Sequence, residues 1–260
     1  MKIGICYKDG SEEKAIKIAK SLKERIDIDF VSSIGNLPTS LKEVDLIIVI
    51  GGDGTVIKCA KVAKDKAPLL GVKAGRLGFL SSYTIDDIDR IAEDIINNRL
   101  IREKRFFLEI QVENNRLYAL NDVVLEKDID GRMLEIEVVV SDGSALWFFA
   151  DGIIVSTPTG STAYNLSAGG PVVHPNAETV QITPLLPHFL FNRGIVVPAS
   201  SVIKITVDIK SNLLLDGKLV GKFQRIYVKK SEVNVTILRP KGYDFYMALK
   251  NRLGYGKKMI

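Results

Sequence analysis

Val44-Asp45-Leu46-Ile47-Ile48-Val49-Ile50-Gly51-Gly52-Asp53-Gly54-Thr55 is the stretch on which the fold turns. The run Val44 to Ile50 is nearly all aliphatic, as expected of a strand covered on both faces in a parallel sheet. It ends in three glycines within four residues, and a helical pattern follows from about Thr55 to Ala67. That places the turn at the carboxyl edge of an open α/β sheet, where ligands usually bind. Glycines let backbone amides close on an anion, and the helix aims unpaired N–H groups and its positive end at the same point. Gly51, Gly52, Gly54 and Thr55 are therefore candidates for holding phosphates. Asp53 is the unusual member, because a carboxylate repels phosphate unless it binds a metal ion or takes a proton from an attacking hydroxyl. The alternative is a tight turn with Thr55 as helix N-cap and Asp53 as a local hydrogen-bond acceptor.

Outward from this stretch, the first hundred residues alternate strand and helix patterns. Lys2 to Tyr7 reads as a strand, Ala15, Ile18, Ala19 and Leu22 form a helical stripe, and Ile26, Ile28 and Phe30 alternate. Pro68 to Val72 reads as another strand, and Thr84 with Asp87 as a cap for a helix carrying Ile88, Ile91, Ala92 and Ile95. After about residue 103 the period changes to two, with Leu134, Ile136, Val138 and Val140 alternating and Asp130-Gly131 and Asp142-Gly143 as turns. Further strands are read at Val202–Ile209, Asn212–Leu215, Arg225–Val228 and Val233–Leu238, and a last helix at Asp244–Leu253. The expectation is an α/β domain over 1–102, a β-rich domain over 103–243, and a tail over 244–260 that packs back on the first.

The 260 residues carry 36 Lys and Arg against 31 Asp and Glu, interspersed, for a net charge of +5. That favours anionic ligands without singling out nucleic acid. No run of 18 apolar residues and no signal-length apolar start occurs, so neither a membrane span nor export is expected. Cys6 and Cys59 stand far apart in sequence without a metal-ligand spacing, which suggests neither a disulfide framework nor a zinc site and suits a reducing cytoplasm.

A second glycine-rich region runs from Asp151 through Ser156-Thr157-Pro158-Thr159-Gly160-Ser161-Thr162-Ala163-Tyr164 to Gly170. Its hydroxyls offer donors and acceptors to a polar ligand and Tyr164 can pack on a planar ring, which suits a nucleotide. The bland alternative is a loop whose hydroxyls satisfy its own backbone. Asn121-Asp122 lies between apolar neighbours; an Asn can offer a donor and an acceptor to an adenine edge, or the pair can be a satisfied core contact. His174 and His188 lack ligand-spaced partners and are read as packing or loop residues, and Trp147-Phe148-Phe149 as strand core.

Taken together, Gly51-Gly52-Asp53-Gly54-Thr55, Asn121-Asp122 and the run from Asp151 through Pro175 resemble the NAD kinases, which phosphorylate the adenosine ribose 2′-hydroxyl of NAD to give NADP. Leu77-Gly78-Phe79-Leu80, Thr183-Pro184 with Pro187-His188, Asp216-Gly217 and Leu253-Gly254-Tyr255-Gly256 match in order and spacing as well. The glycine turn alone is shared with diacylglycerol-type lipid kinases and, in related form, with phosphofructokinases; the long hydroxyl-rich run separates them. The resemblance implies an N-terminal Rossmann-like α/β domain, a C-terminal β-sandwich domain, a nucleotide site between them, and homodimers or homotetramers. It implies Asp53 as the catalytic carboxylate and Gly54, Asn121, Asp122, Asp151, Thr162, Ala163, Tyr164 and Ser167 as NAD-binding residues, with ATP as phosphate donor and a divalent ion, Mg²⁺, arriving with the nucleotide. No dedicated metal cage and no Walker-type phosphate loop are read. Two departures stand out: Asn121-Asp122 replaces the usual Asn-Glu, and Gly71-Val72-Lys73 puts a cation where the family has an amide. Lys73 is accordingly either a phosphate partner or a solvated surface charge. The rival functions are a lipid or sugar kinase of the same superfamily and a non-catalytic NAD sensor.

Overall fold

The computed structural model describes residues 1–37, 44–73, 75 and 78–256; of the sequence motifs, Leu77 and the tail residues 257–260 lie outside these. The chain divides into two compact units, Met1–Lys104 with Val235–Ile260, and Arg105–Asn234. Val235–Pro240, expected with the β-rich part, thus fall in the first unit.

In the first unit, β1 (Ile3–Tyr7) leads through α1 (Glu12–Lys23) to β2 (Ile28–Ser33), and β3 (Leu46–Ile50) through α2 (Asp53–Ala63) to β4 (Leu69–Lys73). β5 (Ser81–Thr84) and α3 (Ile88–Ile96) follow. The strands are parallel in the order β5–β4–β3–β1–β2. Strand order therefore reverses between β1 and β3, which opens a crevice at their carboxyl ends. All five residues of β3 are buried, as the aliphatic run requires. α1 buries the predicted stripe Ala15, Ile18, Ala19 and Leu22. A capping box of Thr84 and Asp87 is present, closing a single 3₁₀ turn, Ile85–Asp87, ahead of α3. The core joins Ile3, Ile5, Ile48, Ile50, Leu70 and Val72 of the sheet to Ile18, Leu22 and Ile91 of the helices. Losing one such aliphatic side chain to Ala costs about 2–5 kcal/mol.

The second unit is mostly β, built from the part of β6 (Leu100–Val112) that follows Lys104, with β7 (Asn115–Ala119), β8 (Asp122–Glu126), β9 (Leu134–Val140), β10 (Leu146–Ala150) and β11 (Gly152–Ser156). After the short α4 (Tyr164–Ser167) come β12 (Thr179–Leu185), β13 (Ile195–Pro198), β14 (Ile203–Leu215) and β15 (Lys218–Pro240). An antiparallel path runs β13–β12–β11–β8–β14, with β9 pairing both β14 and β10. The alternating Leu134, Ile136 and Val138 all point into one core with Val123, Leu125, Ile153 and Val155. Trp147 departs from its expected core position: it is 64% exposed, and only Phe148 of the aromatic triplet is buried. The final helix, α5 (Phe245–Leu253), belongs to the first unit, starts at an Asp244 N-cap, and buries Phe245, Ala248 and Leu249. Together these features give an N-terminal α/β unit and a mostly β unit, as the sequence predicts. No described helix is long and apolar enough to cross a membrane.

Candidate active site

The glycine turn lies after β3, at the crevice where strand order reverses. α2 begins at Asp53 with Gly52 as N-cap, two residues earlier than its pattern predicts, so Thr55 is inside the helix rather than its cap. Thr55 is buried, and a β-carbon on Gly51 would lie 2.5 Å from its hydroxyl oxygen. Glycine at 51 is thus a packing requirement. A β-carbon on Gly52 would lie 3.9 Å from Nζ of Lys73, so the turn and this ammonium group are neighbours.

Asp53 is not a local acceptor. Its Oδ2 accepts the Phe79 N–H at 2.6 Å and its Oδ1 the Leu80 N–H at 3.2 Å, from residues 26 and 27 positions further along. A carboxylate has about four acceptor positions, so each oxygen keeps one free for an incoming hydroxyl while its direction is fixed. A β-carbon on Gly78 would overlap the carboxylate, which is why the chain before Phe79 can come this close. Nearby, Arg252 sits with its guanidinium carbon 5.1 Å from the Phe79 ring centroid. Burial pulls its pKa below the ordinary arginine value, with the Asp53 carboxylate among the charges acting the other way.

In the second unit, a cleft of about 520 Å³ is lined by Glu126, Lys127, Asp151, Tyr164, Ser167 and Leu185, among others. The structure therefore brings Asp151, Tyr164 and Ser167 together, whereas Thr162 and Ala163 lie in the turn leading into α4 and are not among the lining residues. Asp151 is held by Lys127, Nζ to Oδ1 at 3.1 Å. Burial raises the pKa of Glu126 and Tyr164, and the negative charges of Glu126 and Asp122 push Tyr164 further up. Lys127 and Glu126 carried no motif and were not legible in the sequence.

Most hydroxyls of the 156–162 run satisfy their own surroundings. Thr157 Oγ1 donates to Leu120 O at 2.6 Å, Ser156 Oγ to Asn121 O at 3.3 Å, and Ser161 Oγ to Pro158 O at 2.7 Å. The first two thus hold the carbonyls of Leu120 and Asn121. Asn165 is likewise buried, linking Gln181, Pro171 and Thr183. From the other side Asp216 accepts the N–H groups of Leu120, Asn121 and Asp122 at 3.0, 2.7 and 3.3 Å. Asp216 and Gly217 both have positive φ, the tight hairpin turn that lets the carboxylate reach back. With its backbone so pinned, Asn121 leaves its side-chain Oδ1 buried without a hydrogen-bond partner. An unpaired buried amide oxygen costs about 1–3 kcal/mol, a cost that a ligand donor would remove.

The histidines take loop roles. His174 Nδ1 accepts the Asn176 N–H at 3.2 Å, and the His188 ring packs edge-on against Phe149 and Phe189 at 5.7 and 5.2 Å. Among the described residues no group of three or more His, Cys, Asp or Glu side chains could hold a metal ion.

Residues 7–100 match the ATP-NAD kinase N-terminal domain and residues 120–239 the ATP-NAD kinase C-terminal domain. The NAD kinase of Thermotoga petrophila is 47% identical over 264 residues, covering 100% of both chains, and that of Thermotoga maritima 46% identical over 260 residues with the same coverage. An NAD kinase from Archaeoglobus fulgidus, solved in complex with ATP, superposes with a TM-score of 0.79 at 25% identity over 98% of each chain. Yeast NADH kinase, solved with NADH, shares the fold at a TM-score of 0.87 and 22% identity, covering 100% of this chain and 89% of its own. The chain belongs to the NAD kinase family.

Proposed function

We propose that Asp53 engages the 2′-hydroxyl of the adenosine ribose of NAD as the terminal phosphate of ATP is transferred to it, giving NADP. The observation that carries this is the pair of backbone N–H groups that fix both Asp53 oxygens at the end of β3 while leaving acceptor positions open. A carboxylate fixed in this way orients the hydroxyl and accepts its proton as the phosphorus–oxygen bond forms. Gly52, Gly54 and the start of α2 favour the negative charge of the donor phosphates, and Lys73, close to Gly52, adds a cation.

In the second unit, Asn121 and Asp122, with Tyr164, Ser167 and Asp151, recognise NAD. The buried, unpaired Oδ1 of Asn121 and the cleft beside Tyr164 support that reading. Thr162 and Ala163 act by shaping the turn that presents Tyr164, and Thr55 acts by packing under Gly51.

The donor set does not fit a metal ion held by the chain: Asp53 is a single carboxylate already bonded to two amides, and no cluster accompanies it among the described residues. A divalent ion, Mg²⁺, would be held by the nucleotide phosphates and would offset their charge. A homodimer or homotetramer belongs to the same reading; the exposed apolar side chains of Leu186, Leu190 and Phe191 support it. A cytoplasmic setting suits the two free cysteines.

The test is NADP formation by the purified protein from NAD, ATP and Mg²⁺, beside the Asp53→Asn variant. Turnover by the first alone is expected. NAD binding without turnover by the unaltered protein would favour a sensor, and phosphorylation of lipid or sugar alcohols in place of NAD would move the acceptor class.

A further inference from the structure

Arg239, near the end of β15, is only 1% exposed, and it is one of the largest fully buried side chains among the described residues. A guanidinium is costly to bury unless its charge is paired and its donors used. Here Nε donates to Glu103 Oε2 at 3.0 Å, Nη1 to Ser82 Oγ at 2.9 Å and Nη2 to the Phe79 carbonyl at 2.7 Å, with the Tyr243 ring centroid 4.5 Å away. Glu103 neutralises the charge. The other two bonds grip the short segment that reaches Asp53.

One of those bonds has a direct line to the carboxylate. The carbonyl of Phe79 and the N–H of Leu80 belong to the same peptide group, so the guanidinium draws on its oxygen while its N–H donates to Asp53 Oδ1. Hydrogen bonds in series through one amide polarise and strengthen each other. The same carbonyl contact fixes the plane of that peptide and so the angle at which Oδ1 is held. The neighbouring Phe79 N–H, on Oδ2, is carried by the segment that Arg239 pins at both Phe79 and Ser82. Only a planar fork with several donors can meet these acceptors at once; an ammonium cannot.

We propose that Arg239 is a positioning residue for Asp53, acting through the Phe79–Leu80 peptide without touching substrate. The inference rests on the reading of Asp53 given above. It differs from a purely structural role in one respect: its effect on turnover must pass through the Asp53 carboxylate.

The experiment compares Arg239→Met, Arg239→Lys and Ile237→Ala, with Arg239→Lys also placed in the Asp53→Asn background. Ile237 is buried two residues away on the same strand and makes a control for lost stability alone. Turnover is scaled to folded protein, and NAD affinity is read by calorimetry. Arg239→Met is expected to lower kcat by about tenfold or more, with KM for NAD and ATP within about twofold. Arg239→Lys falls between it and the unaltered protein, and carries the test alone if Arg239→Met does not fold. In the Asp53→Asn background, Arg239→Lys should leave the residual kcat unchanged, because the carboxylate it positions is gone. Ile237→Ala should keep the full kcat. An unchanged kcat in Arg239→Lys, the same fractional loss in both backgrounds, or an equal loss in Ile237→Ala would each overturn the proposal. Full turnover by Asp53→Asn on its own would instead overturn the reading of Asp53, and this inference with it.

Discussion

At the glycine turn of the first unit both oxygens of a carboxylate are taken up by backbone amides, while at Asn121 in the second unit the backbone is pinned and a side-chain oxygen is left without a partner. Both arrangements depend on a residue far away in sequence: Phe79 and Leu80 hold Asp53, and Asp216 holds Leu120 to Asp122. What differs is which atoms remain available. Asp53 is oriented in advance, which suits a group whose contribution is made in the transition state. Asn121 carries an unmet hydrogen bond, which suits a group that gains its partner on binding. The first region should therefore govern rate and the second affinity.

Crowding Asp53 should break that division most sharply. In Gly78→Ala the new methyl group overlaps the carboxylate and must displace it. A displacement of about 1 Å at a reacting group costs roughly 100-fold in rate, so kcat should fall by about that factor with the NAD dissociation constant unchanged. Steady-state kinetics beside calorimetry decide it; a loss of NAD affinity of similar size would show that the turn takes part in recognition.

Next in size is Asp216→Asn. It replaces an ionised acceptor of three N–H groups with a neutral amide. Unfolding free energy should fall by about 2–3 kcal/mol, and NAD binding should weaken because Asn121 is no longer held. Denaturant unfolding and calorimetry read the two effects. Unaltered affinity at reduced stability would separate the pinning of the backbone from recognition.

Asn121→Ala sharpens the comparison further. NAD binding should weaken by about 1–3 kcal/mol, yet unfolding free energy should not fall, since the deleted oxygen has no partner to lose and its removal relieves the cost of burying it unpaired. A large stability loss with unchanged affinity would return Asn121 to a structural role.

How much of this could be read from the sequence follows from the range of each interaction. β3 and the turn after it were legible because an aliphatic run ending in glycines is a local signal. The start of α2 carries no sequence signal, because Gly52 caps it through backbone geometry alone, with no side-chain cap. The partners of Asp53 were invisible, since a motif at 77–80 does not announce which carboxylate it meets. β14 shows two strand patterns in the sequence because its pairing with β15 shifts register between Thr206 and Ser211, which interrupts the alternation. β15 likewise shows two patterns, because the polar run Lys229-Lys230-Ser231-Glu232 lies inside a single strand. Cys6 and Cys59, separate in sequence, meet in the first unit, where the hydrogen bond between the thiols and burial both raise the pKa of Cys59. In the second glycine-rich region the composition of the loop does not distinguish hydroxyls that bond to backbone from those that line the cleft. Ser156 and Thr157 bond to the carbonyls of Asn121 and Leu120, and Ser161 to that of Pro158, pairings that only the folded chain brings together.

The division of labour itself is tested by measuring kcat and the NAD dissociation constant together for Asp53→Asn and Asn121→Ala. Asp53→Asn is expected to lower kcat by roughly 100- to 10,000-fold with NAD binding unchanged, while Asn121→Ala weakens NAD binding and leaves kcat at saturating NAD near the unaltered value. Loss of NAD binding in Asp53→Asn with kcat retained, or loss of kcat in Asn121→Ala with affinity retained, would contradict it.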